Sequence, residues 1–167
     1  SFTGKDLLVA RLRIGNFSKD GNGNAFGGSG VNLTALDIAT DSGVPGAQNI
    51  VTLDRLFYKF PVGKEFTVIA GALARNTESI ALWPSVYNKG ATKILDWTAL
   101  MGTSAVYNKE VGQLIGAYWK QKVDKGRNAF SVSINYTADD DNGNETDPTS
   151  GGFMTGNSQA SFLAQIG

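Results

Sequence analysis

Two-residue alternation of apolar and polar side chains is the feature that most constrains this sequence. Successive side chains of a β-strand point to opposite faces of a sheet. Residues 128–137 place an apolar side chain at every second position: Phe130, Val132, Ile134 and Tyr136. In residues 8–14 the apolar residues have one parity, whereas Arg11 and Arg13 have the other. Helical periodicity is hard to find, so we expect an all-β fold whose strands have one apolar and one polar face.

The lengths of the connections predict how these strands are arranged. Further strands are expected at residues 31–40, 49–60, 65–74, 112–121 and 158–166, which makes about seven in all. The apolar parity changes within residues 49–60, which predicts a bulge near Asp54. Connections around Gly63 and Lys125 are short, whereas those at 18–30, 75–111 and 138–157 are long. An antiparallel meander with tight turns at one end and long loops at the other is typical of a transmembrane β-barrel.

Composition excludes several classes of function. The 167 residues suggest one domain or a piece of one, and fifteen basic residues balance fifteen acidic ones, which argues against a general nucleic-acid binder. Cysteine and histidine are both absent, so disulfides, Cys/His metal sites, thiol nucleophiles and imidazole bases are excluded. No acid pair stands out as a catalytic site. We therefore predict a protein that is not an enzyme and that uses no cofactor.

Two stretches of the sequence resemble a known family. Residues 2–17 read FTGKDLLVARLRIGNF, and residues 53–63 read LDRLFYKFPVG. Both are similar to the outer-membrane porins of cyanobacteria, a branch of the carbohydrate-selective porin family that is often labelled iron uptake porins. The resemblance implies a barrel of about 16 strands, assembled as a homotrimer in the outer membrane. It would pass small hydrophilic solutes or inorganic ions, iron included, or sugars.

The same resemblance implies partners and missing parts. Residues 1–167 would be part of a single porin barrel domain, a fragment whose remaining strands lie outside this sequence. The barrel would contact lipid and lipopolysaccharide. An N-terminal segment, also outside this sequence, would bind peptidoglycan or another cell-wall polymer.

Four cationic side chains are the candidate channel-lining residues: Arg11, Arg13, Arg55 and Lys59. An arginine that faces lipid at the bilayer midplane costs about 2–4 kcal/mol, which favours the lumen for the polar parity. Asp54 is a candidate partner for Arg55 and Lys59. The alternative interpretation is that these cations merely pair with acids on neighbouring strands and fill the barrel wall.

Residues 75–111 form a connection longer than an ordinary loop. Its aromatic and lysine residues are candidates for a constriction or a solute-stacking surface: Trp83, Tyr87, Lys89, Lys93 and Trp97. A loop that folds into the lumen would narrow it. A cap that contacts neighbouring protomers or extracellular loops is the alternative.

Two other interpretations remain open for the sequence. Five acidic residues lie between Asp139 and Asp147 with no basic residue nearby, which predicts a solvated loop at the outer mouth. The spacing fails the pattern of a helix-loop-helix calcium site, so no metal site is predicted. The alternative function is a soluble β-sandwich carbohydrate-binding module that uses Trp83, Trp97 and Trp119 as stacking platforms.

Overall fold

The computed structural model describes residues 4–15, 49–83, 105–108 and 110–167. The strand predicted at 31–40, the long connection at 18–30 and most of the 75–111 connection lie outside the described residues. The chain divides into two compact units. The first comprises residues 1–10, 55–82 and 109–167, and the second comprises residues 11–54 and 83–108.

The described strands form one open antiparallel sheet, which confirms the all-β meander. Its strands are β1 (Leu7–Arg13), β2 (Thr52–Val62), β3 (Phe66–Arg75), β4 (Val111–Lys120), β5 (Ser131–Thr137) and β6 (Ser161–Ile166), and each pairs with the next in chain order. A 3₁₀ turn, Asn76–Ser79, follows β3, and a short helix, α1 (Asp140–Gly143), follows β5. Among the described residues, no helix has the length and apolarity needed to cross a membrane.

The predicted alternation of β5 is confirmed. Four polar residues of this strand are buried: Ser131, Ser133, Asn135 and Thr137. Val132 and Ile134 point the other way and are exposed. We call the side of the sheet that carries Ser133 and Asn135 the covered face, and the side that carries Val132 and Ile134 the apolar face.

Cross-strand register extends the two faces across the neighbouring strands. Gly116 and Tyr118 of β4 pair with Asn135 and Ser133, so they lie on the covered face. Ala117 of β4 pairs with Ile134 and lies on the apolar face. In β6 the apolar face carries the residues predicted to share one side: Phe162, Ala164 and Ile166.

The covered face also holds a small hydrophobic cluster on β2, β3 and β4. Its buried members are Phe57, Ile69, Ala74 and Leu114, and Val9 and Tyr118 pack against them. Leu114 pairs with Thr137, so the apolar cluster passes directly into the polar row of β5 on the same face. The covered face is therefore apolar near β3 and polar near β5.

A bulge is present, but its extra residue belongs to β3. Leu56 pairs with Leu73, whereas the next residue, Phe57, pairs with Gly71. The register of β3 against β4 also shifts between Gly71 and Ala74. The predicted bulge is therefore present two to three residues from Asp54, but its extra residue lies in β3 and not in β2, so it does not account for the parity change within β2. A Cβ on Gly71 would lie 2.4 Å from the Cβ of Phe57, so only glycine allows this close approach.

The 138–157 connection is more ordered than the predicted solvated loop. Asp139 caps α1 through its carboxylate, which accepts hydrogen bonds from Asp141 N and Asn142 N. Gly143, Gly151 and Gly152 are buried, whereas Asp140, Asp141, Glu145 and Asp147 stay exposed. The 138–157 connection is therefore a folded loop that buries three of its glycines and exposes most of its acidic side chains to water.

Glu65 links the two short turns. Its carboxylate accepts hydrogen bonds from Trp119 Nε1 (2.9 Å) and Lys122 N (2.8 Å), while its carbonyl accepts one from Lys120 N (3.0 Å). The bond from the Lys122 amide, followed by that from Trp119, lowers the pKa of Glu65 below its ordinary value. A carboxyl whose folded-state pKa is lowered stabilises the fold above its unfolded-state pKa, and this contribution is lost as pH falls through the folded-state pKa.

We therefore expect Glu65→Gln to lower the urea midpoint of unfolding at pH 7 and to have a smaller effect at pH values below the folded-state pKa of Glu65. The measurement is urea unfolding followed by Trp fluorescence from pH 7 to pH 3. Glu145→Gln is the matched control, because Glu145 is exposed and its carboxylate has no hydrogen-bond partner in the described part of the chain. Equal pH dependence of unfolding in Glu65→Gln and the unchanged protein would contradict this role.

Candidate functional site

Residues 76–82, which we call the strap, cross the covered face immediately after β3. Three hydrogen bonds attach the strap to β5 and β6. They run from Asn135 Nδ2 to Asn76 O (2.8 Å), from Ala81 N to Ser133 Oγ (2.8 Å) and from Gln165 Nε2 to Leu82 O (3.0 Å). Side chains of the covered face thus bond to the backbone of the strap. The start of the 75–111 connection therefore folds back over the covered face.

Burial shows how closely the strap approaches the sheet. Asn76 and Ser79 are fully buried, and Thr77 and Ile80 are nearly so. The Asn76 amide also donates to the carbonyl of Glu110 (2.9 Å), which anchors the strap to the start of β4. Burying a polar group is costly unless it is hydrogen-bonded, and the strap provides such partners for Asn135 Nδ2 and Ser133 Oγ.

Gly116 makes room for the strap. A Cβ at this position would lie 2.9 Å from Ser79 Cβ and 2.7 Å from Asn135 Cβ, both closer than real contacts allow. Any larger residue would push the strap away from β4. Glycine is therefore required here by a close approach rather than by its backbone angles.

Arg55 and Lys59 both lie on the covered face. Arg55 lies two residues before buried Phe57 on β2, so the two side chains share a face, and the Arg55 side chain is only 3% exposed. Its Nε lies 3.8 Å from Oε1 of Glu78 in the strap. Lys59 pairs in register with Ile69, and its ammonium lies 5.0 Å from the ring centroid of Tyr118, within range of a cation–π contact. These contacts place Arg55 beside the strap and Lys59 beside Tyr118 on the same face.

Arg11 and Arg13 converge on Asp54 within the second unit. Arg11 Nε donates to Asp54 Oδ2, and Arg13 Nη1 lies 3.7 Å from Asp54 Oδ1. Within β1 the two arginines share the parity of Val9, whereas Leu8 and Leu12 have the opposite parity and are exposed. The sequence predicted Asp54 as a partner of Arg55 and Lys59. In the structure, Asp54 forms ion pairs with Arg11 and Arg13. Arg55 forms an ion pair with Glu78. The arginine side chains remain 48% and 37% exposed, so their charges face water as well as Asp54.

The aromatic candidates are only partly described. Trp83 is half-buried, and Tyr87, Lys89, Lys93 and Trp97 lie outside the described residues. Trp119 lies on the apolar face beside Phe66 and Val132, and its indole N–H donates a hydrogen bond to the Glu65 carboxylate. Trp119 therefore does not lie with the strap.

Carboxyl groups gather at the long-connection end of β4 and β5. Desolvation, followed by a hydrogen bond and repulsion from Asp139, raises the pKa of Glu110. Partial desolvation, followed by repulsion from Asp141 and Asp139, raises the pKa of Asp140 although its side chain is largely exposed. Within the described part of the chain no group of three or more His, Cys, Asp or Glu residues is arranged to hold a metal ion. This end of the first unit is acidic but does not form a metal site there.

Sequence reasoning missed the strap and its anchors. It treated residues 75–111 as one connection and assigned no role to Asn76, Glu78 or Gly116. One available signal was the small or polar character of all covered-face positions of β5 together with Gly112 and Gly116 of β4. Such a surface has no large side chains and needs hydrogen-bonding partners, which predicts that a polar segment lies against it.

Comparisons with known proteins give one match of limited extent. No family model matches the chain, and no solved structure matches it. The chain is 33% identical over 86 residues to "Uncharacterized protein alr4550" of Nostoc sp. (strain PCC 7120). The aligned region is 49% of this chain and only 14% of that relative, so this chain spans a small part of the protein that it matches.

The fit between Gly116 and the strap is testable. We expect Gly116→Ala to destabilise the fold by about 1–3 kcal/mol, the usual cost of overpacking. Gly156→Ala is the control, because an added Cβ there meets no atom within 4 Å. The measurement is the free energy of unfolding in urea. Equal values for the two variants would mean that the strap does not press against β4.

Proposed function

We propose that this chain forms part of the wall of an outer-membrane porin, a water-filled channel through which small hydrophilic solutes or inorganic ions, iron included, diffuse passively. Sugars are a further candidate class of solute. The covered face would face the channel, and the apolar face would face lipid. The protein would catalyse no reaction and need no cofactor.

The observation that carries this proposal is the reversed burial of the two faces. Ser133 and Asn135 are almost completely buried, while Val132 and Ile134 on the same strand are each 47% exposed. A sheet stable in water buries its apolar face and exposes its polar one. A strand of a transmembrane barrel does the opposite, because apolar side chains face lipid and polar side chains face the lumen.

The apolar face extends well beyond β5. Its exposed large side chains on the other strands of the first unit include Val62, Phe66, Ile115, Phe162 and Ile166. Phe66 and Trp119 pair in the row nearest the tight turns. Aromatic side chains at such a rim fit the interfacial belt of a membrane barrel.

The strap supports a channel rather than a simple membrane anchor. A polar segment held against the covered face would narrow a passage on that side. Arg55 and Glu78 place opposite charges together on β2 and the strap. Charged groups that line a pore set its ion selectivity. Arg11 and Arg13 would be further channel-lining cations under this proposal.

The partners of the channel are proposed on the family resemblance alone. The chain would assemble as a homotrimer and contact lipid and lipopolysaccharide. A segment outside this sequence would bind peptidoglycan or a related cell-wall polymer.

A lysine scan across the apolar face tests the lipid contact. Ile134 lies in the middle of β5 and Phe130 just before its first residue. In lipid, Ile134→Lys should cost about 2–4 kcal/mol and Phe130→Lys about 0–1 kcal/mol, because the penalty falls from midplane to interface. The measurement is reversible urea unfolding in phospholipid vesicles. Nearly equal small losses, or a protein that stays out of the vesicles, would argue for a water-exposed surface.

Selectivity tests the channel itself. Arg11→Gln with Arg13→Gln changes the net charge of the Arg11–Arg13–Asp54 trio from one positive to one negative charge. We expect the reversal potential across a salt gradient in planar bilayers to move towards cation selectivity. Adding Asp54→Asn should bring it part of the way back. An unchanged reversal potential in both variants would mean that the trio does not line the conducting path.

A further inference from the structure

A groove lies at the tight-turn end of the first unit. It has a volume of about 400 Å³ and runs between the β2–β3 turn and the longer β4–β5 turn. Pro61, Thr67, Tyr118 and Lys120 belong to its lining, and their register places them on the covered face. We call it the turn-end groove. Its size is within the range of sites for small organic molecules.

The turn-end groove is cationic. Three exposed lysines line it: Lys64, Lys120 and Lys122. In the part of the chain that the structure describes, none of these ammonium groups forms a salt bridge. Lys125 and Arg127 lie in the same β4–β5 turn, where Asp124 offsets one of their charges. An excess of cations held together attracts an anion.

The acidic residue of the groove does not cancel this charge completely. Glu65 is the only carboxylate among the lining residues of the groove, and Trp119 Nε1 and the Lys122 amide already donate to it. These hydrogen bonds hold the Glu65 oxygens within the turn structure. The three lysine side chains are left to face the groove and solvent.

The groove also offers apolar and aromatic surface. Phe66, Tyr118 and Val123 contribute to its walls beside the lysines. The Tyr118 ring already has Lys59 at 5.0 Å, so a further cation lies nearby on the covered face. Inorganic anions would use only the charges, whereas an organic anion would use both kinds of surface.

We propose that the turn-end groove binds small organic phosphates, with the phosphate held by Lys64 and Lys120 and the organic part resting on Tyr118 and Val123. Lysine is a common point-charge ligand for phosphate. The inference rests on the proposed channel in one respect: the groove borders the covered face, so a bound solute would be concentrated at the tight-turn mouth of the passage. Binding itself does not require conduction.

The test is equilibrium binding of AMP, adenosine and inorganic phosphate to the folded full chain, by calorimetry at low salt. AMP should bind more tightly than either adenosine or phosphate, and its affinity should fall as salt screens the lysines. Lys64→Gln with Lys120→Gln should weaken AMP binding about tenfold, as expected for losing two exposed charge contacts. Lys64→Arg with Lys120→Arg should retain binding.

Lys125→Gln with Arg127→Gln is the matched control, since it removes the same total charge from the same end of the protein outside this groove. It should weaken AMP binding by no more than about twofold. Absence of AMP binding, or equal losses in the two Gln double variants, would overturn the proposal. A whole porin containing this chain that conducts ions but binds no AMP would refute the groove alone, whereas one that binds AMP but carries no current would refute the channel alone.

Discussion

Hydrogen bonding between the strap and the covered face is the interaction on which the rest of the structure depends. Period-two geometry places all the small polar side chains of β5 on one side of the sheet. Burying Ser133 and Asn135 there is tolerable only if they find partners, and the strap supplies Ala81 N and Asn76 O. Gly116 permits the close approach, and Glu78 brings a carboxylate towards buried Arg55. The covered face and the strap are therefore one structural unit.

Sequence alternation predicted much of the sheet because side-chain parity is local information. Residues 128–137 and 158–166 were assigned the correct side-chain alternation, and six of the predicted strands match described ones within about three residues, a normal uncertainty at element ends. The bulge was assigned to β2 because the apolar parity changes there, whereas the register places the extra residue in β3. The strap was missed because its contacts join residues more than fifty positions apart.

The candidate site was predictable in parity but not in pairing. Arg55 and Lys59 were expected on one face, and they share it. Asp54 was assigned to the wrong cations, since sequence distance favoured Arg55 whereas strand pairing brings in Arg11 and Arg13. Buried polar residues opposite exposed apolar ones are the basis of the channel proposal, whereas the turn-end groove rests on exposed lysines beside covered-face residues at the tight turns. Cations near the turns and carboxyls near the long connections also give the first unit opposite charge at its two ends.

The orientation of β5 and β6 in a bilayer tests the central claim most directly. The chain contains no cysteine, so spin labels can be attached at single introduced cysteines along residues 131–137 and 161–166. The measurement is collision of each label with oxygen, which concentrates in lipid, and with a water-soluble nickel complex. We expect oxygen collisions to peak at Val132, Ile134 and Ala164 and to fall at Ser133 and Leu163, with a period of two residues. Low oxygen collision at Val132, Ile134 and Ala164, or no alternation, would contradict the account.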